Sequence, residues 1–322
     1  MGNKDLYNSL CNTEKSLPIF SRDWWLDAAC GKANWKVFIL QENGFIVASL
    51  PIYVPHKGVI SMPSFTQTMG PWFAPESEDT KSSRAIEHQH TLCKLLIAEI
   101  KAYPHFLQNF NYSITDWLPF YWNGYSQTTK YTYVLNGIDN EDVLLKGMSS
   151  NIKRNINRAR TQYHISVRKG ITTDDFLKVQ EMTFKRQNLQ IKADLNVLKR
   201  LIAVCRERKQ GDLWGGYDEN GQIHAAAFIV WQESSAWYLA GGNNTELRES
   251  GAHSLVLYEG IRYVSHFTKR FDFEGSMLPG VEQFFREFGA TQMPYFSISK
   301  GKPSLLLRAW MKLGRMLKTD KN

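Results

Sequence analysis

The sequence has few cysteines and no long apolar run. Its four cysteines stand far apart in a chain of 322 residues, with no pair at CxxC or metal-binding spacing. This excludes a disulfide-stapled fold and fits a protein of a reducing cytoplasm. A membrane-spanning helix needs about 20 consecutive apolar residues, which are absent. Because the N-terminus also lacks the apolar stretch of a signal peptide, we predict a cytoplasmic protein that does not cross the membrane.

The sequence has no motif of a serine or cysteine hydrolase and no histidine spacing typical of a metal site. No Gly-x-Ser-x-Gly element is present, and nothing else indicates a serine or cysteine hydrolase. The eight histidines are scattered and do not occur at the spacing of metal ligands. We therefore predict a protein without a metal site.

Positive charge is concentrated in two segments. The chain carries a formal charge of +8. Residues 146–170 contain seven basic residues and no acid, and residues 299–322 contain seven more against one acid. The remainder of the chain is therefore mildly acidic. Two separate basic patches indicate a phosphate, a nucleic acid or an anionic surface as partner.

An internal repeat suggests two related halves. A shift of 177 residues places Glu42-Asn43-Gly44 on Glu219-Asn220-Gly221, and six of the eleven positions from 42 to 52 match. Each copy is an apolar run, an Asn-Gly turn and a second apolar run, which predicts a β-hairpin. Restricted turn chemistry alone would also make two hairpins look alike. We interpret the repeat as a tandem duplication.

The elements predicted around these hairpins alternate regularly in the second half of the chain. They are a strand at 163–168, helices at 173–187 and 194–208, the hairpin, a strand at 236–240, a loop at 241–244, a helix at 252–267, a strand at 270–274, a helix at 279–288 and a strand near 295–299. The first half has a fainter version of this order, with helices near 23–30 and at 86–102 and a strand at 112–115.

This order resembles the GNAT superfamily of N-acyltransferases. The tandem copy and the segment MSSNIKRNINRAR (148–160) are similar to the Fem-type peptidyltransferases, the lipid II:glycine glycyltransferase group. TQTMGP (66–71), FDFEGS (271–276) and FFREFGA (284–290) are similar too. The resemblance implies an α+β fold of tandem GNAT-like domains, with mixed, mostly antiparallel sheets flanked by helices. We place the domains at 1–145 and 146–322, the second with a basic C-terminal helix.

A loop before the 252–267 helix resembles the family's diphosphate-binding loop, Gln/Arg-x-x-Gly-x-Gly/Ala. Backbone N–H groups at a helix N-terminus suit a diphosphate, which implies acyl-CoA as donor. The last position departs from the pattern because it is histidine, and a helix start with nothing bound is the alternative. The predicted cofactor-binding residues are Arg248, Ser250, Gly251, Ala252 and His253.

The 270–274 strand supplies two candidate catalytic carboxylates. Alternate strand residues share a face, so Asp272 and Glu274 should point together while Phe271 and Phe273 pack on the other side. Transfer of an acyl group to an amine needs a base, and we favour Glu274. Pairing with Arg270 or helix capping is the structural alternative. Tyr238 is the candidate acid for the leaving group.

The basic segment 150–160 predicts a helix with a narrow apolar face. Arg154 and Arg158 are like charges at i and i+4, which repel unless an anion lies between them. A phosphate-bearing acceptor or a tRNA backbone would fit, and a solvated face is the alternative. The predicted substrate-binding residues are Gln67, Gly70, Arg154, Arg158, Arg186 and Arg286.

The C-terminal segment 303–318 predicts a basic amphipathic helix. Leu306, Trp310, Leu313 and Leu317 form one stripe, with basic residues on the far side. Such a helix docks either on an anionic membrane or on its own protein.

Together these features predict an N-acyltransferase. It would move an acyl or aminoacyl group from acyl-CoA, or from aminoacyl-tRNA, to an amine acceptor such as a cell-envelope or polysaccharide precursor. Fem-type enzymes have Phe-Lys before their Phe-Gly, where this chain has Phe284-Phe285-Arg286, and this departure favours acyl-CoA. The alternative is a non-catalytic module that binds RNA or an anionic envelope precursor in a basic groove.

Overall fold

The computed structural model describes residues 2–77, 79–186 and 192–301, with the backbone alone for 184–186 and 192–194. It divides into two compact units: one runs up to Lys130 and resumes at Pro294, and the other is Tyr131–Met293. The domain boundary after residue 145 stays a prediction, and the described residues 294–301 fall in the first unit. The reason is strand pairing, because the end of the last strand pairs with a strand of the first unit.

The first unit is an antiparallel hairpin extended by further strands and covered by helices. In the sheet the order is β1-β2-β3-β5-β12, with β4 paired to β2. The elements are α1 (Asn3–Thr13), α2 (Asp23–Cys30), β1 (Trp35–Glu42), β2 (Phe45–His56), β3 (Val59–Ser61), β4 (Trp72–Phe73), α3 (Ser82–Ile100), β5 (His105–Asn109), α4 (Leu118–Trp122) and the first part of β6 (Ser126–Asn136).

The second unit contains the predicted order of elements as far as the helix predicted at 279–288, and most of the last predicted strand falls in the first unit. Its strands lie in the order β6-β11-β10-β9-β8-β7. The elements are α5 (Glu141–Gly147), α6 (Ser150–Thr161), β7 (Ser166–Lys169), α7 (Thr173–Arg186), α8 (Lys192–Glu207), β8 (Gly211–Tyr217), β9 (Ile223–Gln232), β10 (Ser235–Asn243), α9 (Ala252–Val264), β11 (Arg270–Asp272), α10 (Pro279–Glu287) and β12 (Thr291–Lys300), which ends in the first unit. The α+β fold class is confirmed.

The two units share one topology. In each, a hairpin leads to a third strand, a helix follows, and the next strand pairs parallel to the third: β3 with β5, and β10 with β11. An antiparallel strand then completes each sheet, β12 beside β5 and β6 beside β11. This common order confirms the tandem GNAT-like architecture.

Both predicted hairpins form, but their turns differ. Asn43 and Gly44 make a two-residue turn, both with positive φ, between Glu42 and Phe45. In the second hairpin only Gly221 has positive φ, and Asp218 closes a longer loop by donating its N–H to the carbonyl of Gln222. The matching Glu-Asn-Gly letters therefore do not produce matching turns.

Two local predictions are wrong. Residues 112–115 form a turn held by Asn111, whose side chain accepts the N–H of Ser113, and the strand lies upstream at β5. The predicted loop at 241–244 belongs to β10 up to Asn243. Gly241 and Gly242 serve close packing instead, since a Cβ on them would overlap the Ala226 carbonyl and the Thr183 hydroxyl.

The core of the second unit explains the orientation of its helices. Strand β9 is buried along nearly its whole length, with α9 packed on one face and Phe176 of α7 against Phe228 on the other. Helix α6 buries Ile152, Ile156 and Ala159, as its sequence predicts. Helices α6 and α9 pack against each other, so the basic helix lies beside the predicted donor loop.

Candidate functional site

The candidate site lies where β10 and β11 diverge. The two parallel strands pair only at Ala236 with Phe271 and Trp237 with Asp272. Strand β11 then ends, whereas β10 continues to Asn243. Tyr238 on β10 and Glu274 after β11 therefore come immediately beyond the last shared pair, which brings two of the predicted catalytic residues to one end of the parallel pair.

Glu274 is held in an unusual conformation. Its φ of 59° lies in the left-handed region, which costs a non-glycine residue about 1–2 kcal/mol. Its Oε1 atom is buried and has no hydrogen-bond partner among the described residues. Burial, followed by repulsion from the Asp272 carboxylate, raises the pKa of Glu274 well above its usual value. A strained backbone at a carboxyl group whose buried oxygen has no described partner is typical of a functional site.

Asp272 fixes this conformation. Its side chain is fully buried, and its Oδ1 accepts the backbone N–H of Glu274 at 2.7 Å and the hydroxyl of Thr132. Thr132 stands 140 residues away in sequence, on β6. Sequence reasoning missed it, because a lone threonine in a strand carries no signal of such a contact.

The predicted strand geometry of the two carboxylates is wrong. Strand β11 ends at Asp272, so Glu274 follows a turn and does not share a pleat with it. The turn needs Gly275, with φ 64°, because a Cβ there would overlap the Tyr131 carbonyl. Phe271 and Phe273 do pack together in the core, with ring centroids 5.0 Å apart.

Tyr238 lies beside a residue of the predicted donor loop. Its hydroxyl is 3.1 Å from Nε2 of His253, and the His253 ring stacks on Phe284 at 5.1 Å between centroids. Burial raises the pKa of Tyr238 above its usual range, so its phenol stays protonated. His253, the residue that differs from the family pattern, is therefore the one that contacts the candidate catalytic Tyr238.

The predicted diphosphate loop is packed against α6. Gly251 has φ 78° and is the N-cap of α9, and a Cβ on it would overlap the carbonyl of Asn155. Ser250 Oγ accepts the N–H of Ala252 at 3.3 Å, and Arg248 is exposed. The glycine therefore has a structural reason that needs no ligand, and donor binding by this loop stays a prediction.

Arg154 and Arg158 lie on the same helix without a carboxylate partner among the described residues. Each guanidinium donates to the asparagine three residues before it, Arg154 to Asn151 at 2.9 Å and Arg158 to Asn155 at 3.1 Å. The Nε of Arg158 is buried without a partner in the part of the chain that the structure describes. By contrast, Arg160 pairs with Glu259.

The other two arginines predicted to bind substrate are Arg286, whose contacts the structure describes, and Arg186, whose side chain it does not. Arg286 is engaged within α10, where its Nε lies 2.9 Å from Glu282 Oε1. The same oxygen accepts the hydroxyl of Tyr133 at 2.7 Å, so this arginine belongs to an internal network. Arg186 ends α7, and its side chain lies outside the described residues, as does the predicted C-terminal helix.

The two predicted acceptor residues lie in the first unit. The backbone carbonyl of Gln67 accepts the side-chain N–H of Asn109 at 3.1 Å, and the Gln67 side chain is buried. Gly70 has φ 95° and packs against the Phe110 ring, where a Cβ would not fit. Their role toward an acceptor stays a prediction.

Other features of the described chain lie apart from these residues. A cavity of about 660 Å³ in the second unit runs along the other end of α9, lined by residues that include Trp214, Glu259 and Tyr263, and none of the predicted site residues lines it. Within the described ranges, no group of three or more His, Cys, Asp or Glu could hold a metal ion. No described helix is long and apolar enough to span a bilayer.

Comparison with protein families identifies the part of the chain that holds this site. Residues 146–286 match the family model described as an acetyltransferase (GNAT) domain. They form a GNAT domain. The match includes α6, both carboxylates, Tyr238 and the loop before α9, and it confirms the predicted N-acyltransferase class. A comparison with functionally characterised sequences gives no significant match.

Solved structures extend the likeness to the whole chain. FemX matches with a TM-score of 0.66 at 12% identity, covering 92% of this chain and 96% of that one. The C-terminal domain of a putative lysylphosphatidylglycerol synthetase from Agrobacterium fabrum matches at 0.58 and 9% identity, covering 96% of each chain. A tandem GNAT protein from the clavulanic acid biosynthesis pathway matches at 0.50 and 12%, covering 82% of each. The Fem-type likeness is thereby confirmed in fold.

Proposed function

We propose that the GNAT domain transfers an acyl or aminoacyl group to an amine, with Glu274 as the general base. The observation that carries the proposal is the half-buried Glu274, whose buried Oε1 has no described partner, beside the point where β10 and β11 diverge. A carboxylate with a raised pKa is a stronger base, which suits removal of a proton from an ammonium acceptor. The freed amine then attacks the acyl carbonyl directly.

In this proposal Asp272 is a positioning residue. Its Oδ1 already accepts two hydrogen bonds, from the Glu274 backbone and from Thr132, so it holds the turn that presents Glu274. Its negative charge also contributes to the raised pKa of Glu274. Loss of Asp272 would therefore impair catalysis through Glu274.

Tyr238 is the proposed acid for the leaving group. Because its pKa is raised by burial, the phenol keeps its proton until a leaving thiolate or ribose oxygen accepts it. The His253 ring, 3.1 Å away and stacked on Phe284, would orient the hydroxyl. Glu274 takes one proton from the ammonium, the C–N bond forms and the bond from the acyl carbon to the donor's sulfur or oxygen breaks. The leaving atom takes the Tyr238 proton, and the second proton lost by the attacking nitrogen restores the Tyr238 phenol, so the step balances.

The donor would be anchored through phosphate groups at α6 and the start of α9. Arg154 and Arg158 have no described carboxylate partner, and Asn155 brings α6 against Gly251. Both acyl-CoA and the end of an aminoacyl-tRNA present phosphates to such a surface. The acceptor we propose is an amine on a cell-envelope or polysaccharide precursor, reached in the cytoplasm.

The test combines binding with turnover. Thermal unfolding is followed with acetyl-CoA, longer acyl-CoAs and aminoacyl-tRNA in parallel, and transfer to amine acceptors is measured for any donor that stabilises the protein. We expect stabilisation by one donor class, weakened about tenfold by Arg158→Gln and unchanged by Arg160→Gln, whose residue pairs with Glu259. No response to any donor would contradict the proposal.

A further inference from the structure

The Tyr238 hydroxyl is enclosed, and its neighbour is a histidine. Tyr238 is only 8% exposed, and its hydroxyl lies 3.1 Å from Nε2 of His253. The backbone also passes close by at Gly241, where a Cβ would come within 2.9 Å of the same hydroxyl. The phenol is therefore shielded from bulk water, and the hydrogen-bond partner that the described residues offer it is an imidazole ring.

His253 is more open to solvent than the phenol that it contacts. It is half-buried in the first turn of α9, whereas Tyr238 is buried. Its ring stacks on Phe284 with an interplanar angle of 14°, and its centroid lies 5.7 Å from that of the Tyr238 ring. The imidazole is therefore held in place by an aromatic neighbour while it joins a buried hydroxyl to the protein surface.

A buried phenol that gives up its proton has to regain one. A phenolate is costly in a buried site, and burial raises the pKa of Tyr238. Imidazole gains and loses protons near neutral pH and has two ring nitrogens at which to do so. A histidine between this hydroxyl and solvent can therefore carry protons, whereas the Gly or Ala of the family pattern at this position could not.

We propose that His253 is a proton relay for Tyr238. This inference rests on the proposed function, in which the ring only orients the hydroxyl. When the leaving sulfur or oxygen takes the Tyr238 proton, Nε2 of His253 passes a proton to the phenolate, and the ring takes one up from water. The second proton lost by the attacking nitrogen passes to water. The relay is then the route by which that proton restores the phenol, so no proton is gained or lost.

Two substitutions at His253 separate a relay from a simple hydrogen-bond contact. His253→Ala introduces a residue that the family pattern allows, and His253→Gln keeps a side chain that can hydrogen-bond but does not titrate. We expect both to lower kcat at least about tenfold with donor binding retained, and added imidazole to restore part of the rate of His253→Ala. His266→Ala is the matched control, because His266 is exposed beyond the other end of α9 and should have no effect.

A Tyr238→Phe background isolates the relay from the rest of the mechanism. In that background His253→Ala should cause no further loss, because its effect passes through the phenol. The relay is overturned, and the proposed function stands, if Tyr238→Phe is slow while His253→Gln keeps the full rate. It is also overturned if the His253 variants lose donor affinity alone. If Glu274→Gln and Tyr238→Phe are both fully active, the proposed function itself fails.

Nitrogen-15 NMR of the full chain, with labelled histidine, tests the contact without a substrate. Tyr238→Phe should shift the Nε2 resonance of His253 and leave that of His266 in place. An unchanged His253 resonance would mean that the hydrogen bond does not form, and the relay would be overturned. Circular dichroism checks that each variant is folded.

Discussion

The two units share one strand topology, but the second strand of the parallel pair, β5 in the first unit and β11 in the second, ends differently. The 177-residue shift places Tyr53 of β2 on Val230 of β9. Tyr53 pairs with Ser61 on β3, and Val230 pairs with Trp237 on β10, so Ser61 and Trp237 hold the same place in the two units. The residues just before them, Ile60 and Ala236, pair with Phe106 of β5 and Phe271 of β11, so these two phenylalanines also correspond. Counting from these phenylalanines, the first unit has Leu107 where the second has Asp272, and Asn109 where the second has Glu274.

The corresponding residues meet opposite environments. Strand β5 continues to Asn109, whose side chain donates to the Gln67 carbonyl and accepts from Lys130 at 3.2 Å. Strand β11 stops at Asp272, and Glu274 follows in a left-handed conformation with a buried oxygen that has no described partner. A shared topology thus supports a hydrogen-bonded amide in one unit and a carboxyl group with one buried oxygen that has no described partner in the other. The chemistry depends on where the strand ends.

The sharpest test of this contrast is an isosteric exchange at both positions. Glu274→Gln removes the proposed base and should lower the turnover rate by about 10²–10⁴, while donor binding is retained. Asn109→Asp introduces a carboxylate at the corresponding place in the first unit, beside Lys130, and should leave turnover unchanged. Steady-state kinetics measure both. Equal losses in the two variants would mean that the units do not differ as described.

The turn glycines should differ strongly between the units. Gly275→Ala forces a Cβ into the Tyr131 carbonyl at a φ of 64°, so we expect a loss of at least about 3 kcal/mol in the free energy of unfolding. Gly44→Ala has a φ of 84° but open space around the new Cβ, and should cost only about 1 kcal/mol. Denaturant unfolding of the two variants measures the difference, and similar losses would contradict it.

Glu274 should make the second unit less stable as the pH rises. Because the pKa of Glu274 is raised in the folded state, its stabilising contribution is complete below about pH 4.5 and is lost as the pH rises through the folded-state pKa. Glu274→Gln mimics the protonated form and should stabilise the protein by about 1–3 kcal/mol at mildly alkaline pH, with no gain near pH 4.5. Exposed Glu99→Gln is the control. A gain that is constant with pH would exclude titration as its cause.

The smallest effect is expected at a titrating group of the first unit. The two ring nitrogens of His88 lie 2.6 Å from Glu76 and 3.1 Å from Glu42, and these hydrogen bonds raise its pKa above 6.5. The contribution is present below about pH 6.5 and is lost as the pH rises through the folded-state pKa. His88→Gln should cost less than about 1 kcal/mol, because the group is partly exposed. Thermal unfolding at several pH values measures it, and a loss that grows with pH would refute the assignment.

Sequence patterns were sufficient to predict the helices and strands that surround the candidate site. The hairpins, the order of helices and strands in the second half and the apolar face of α6 follow from periodicity and turn residues, which act over a few neighbours. Tyr238 and Glu274 were candidates because of their residue types, within the strands predicted at 236–240 and 270–274. The sequence pattern did not predict the end of β11. The alternation of polar and apolar residues up to Glu274 indicates a continuing strand, although Gly275 makes the turn possible.

What the sequence alone determined is the tandem frame, the basic character of α6 and the residue types available for acyl transfer, because each depends on local spacing and composition. The tertiary structure decided which of those residues can act. It ended β11 at Asp272, used Thr132 from 140 residues away to hold that carboxylate, packed Gly251 against α6, and engaged Arg286 with Glu282. These outcomes depend on burial and on contacts between distant segments, and no local pattern encodes where a buried oxygen will lack a partner.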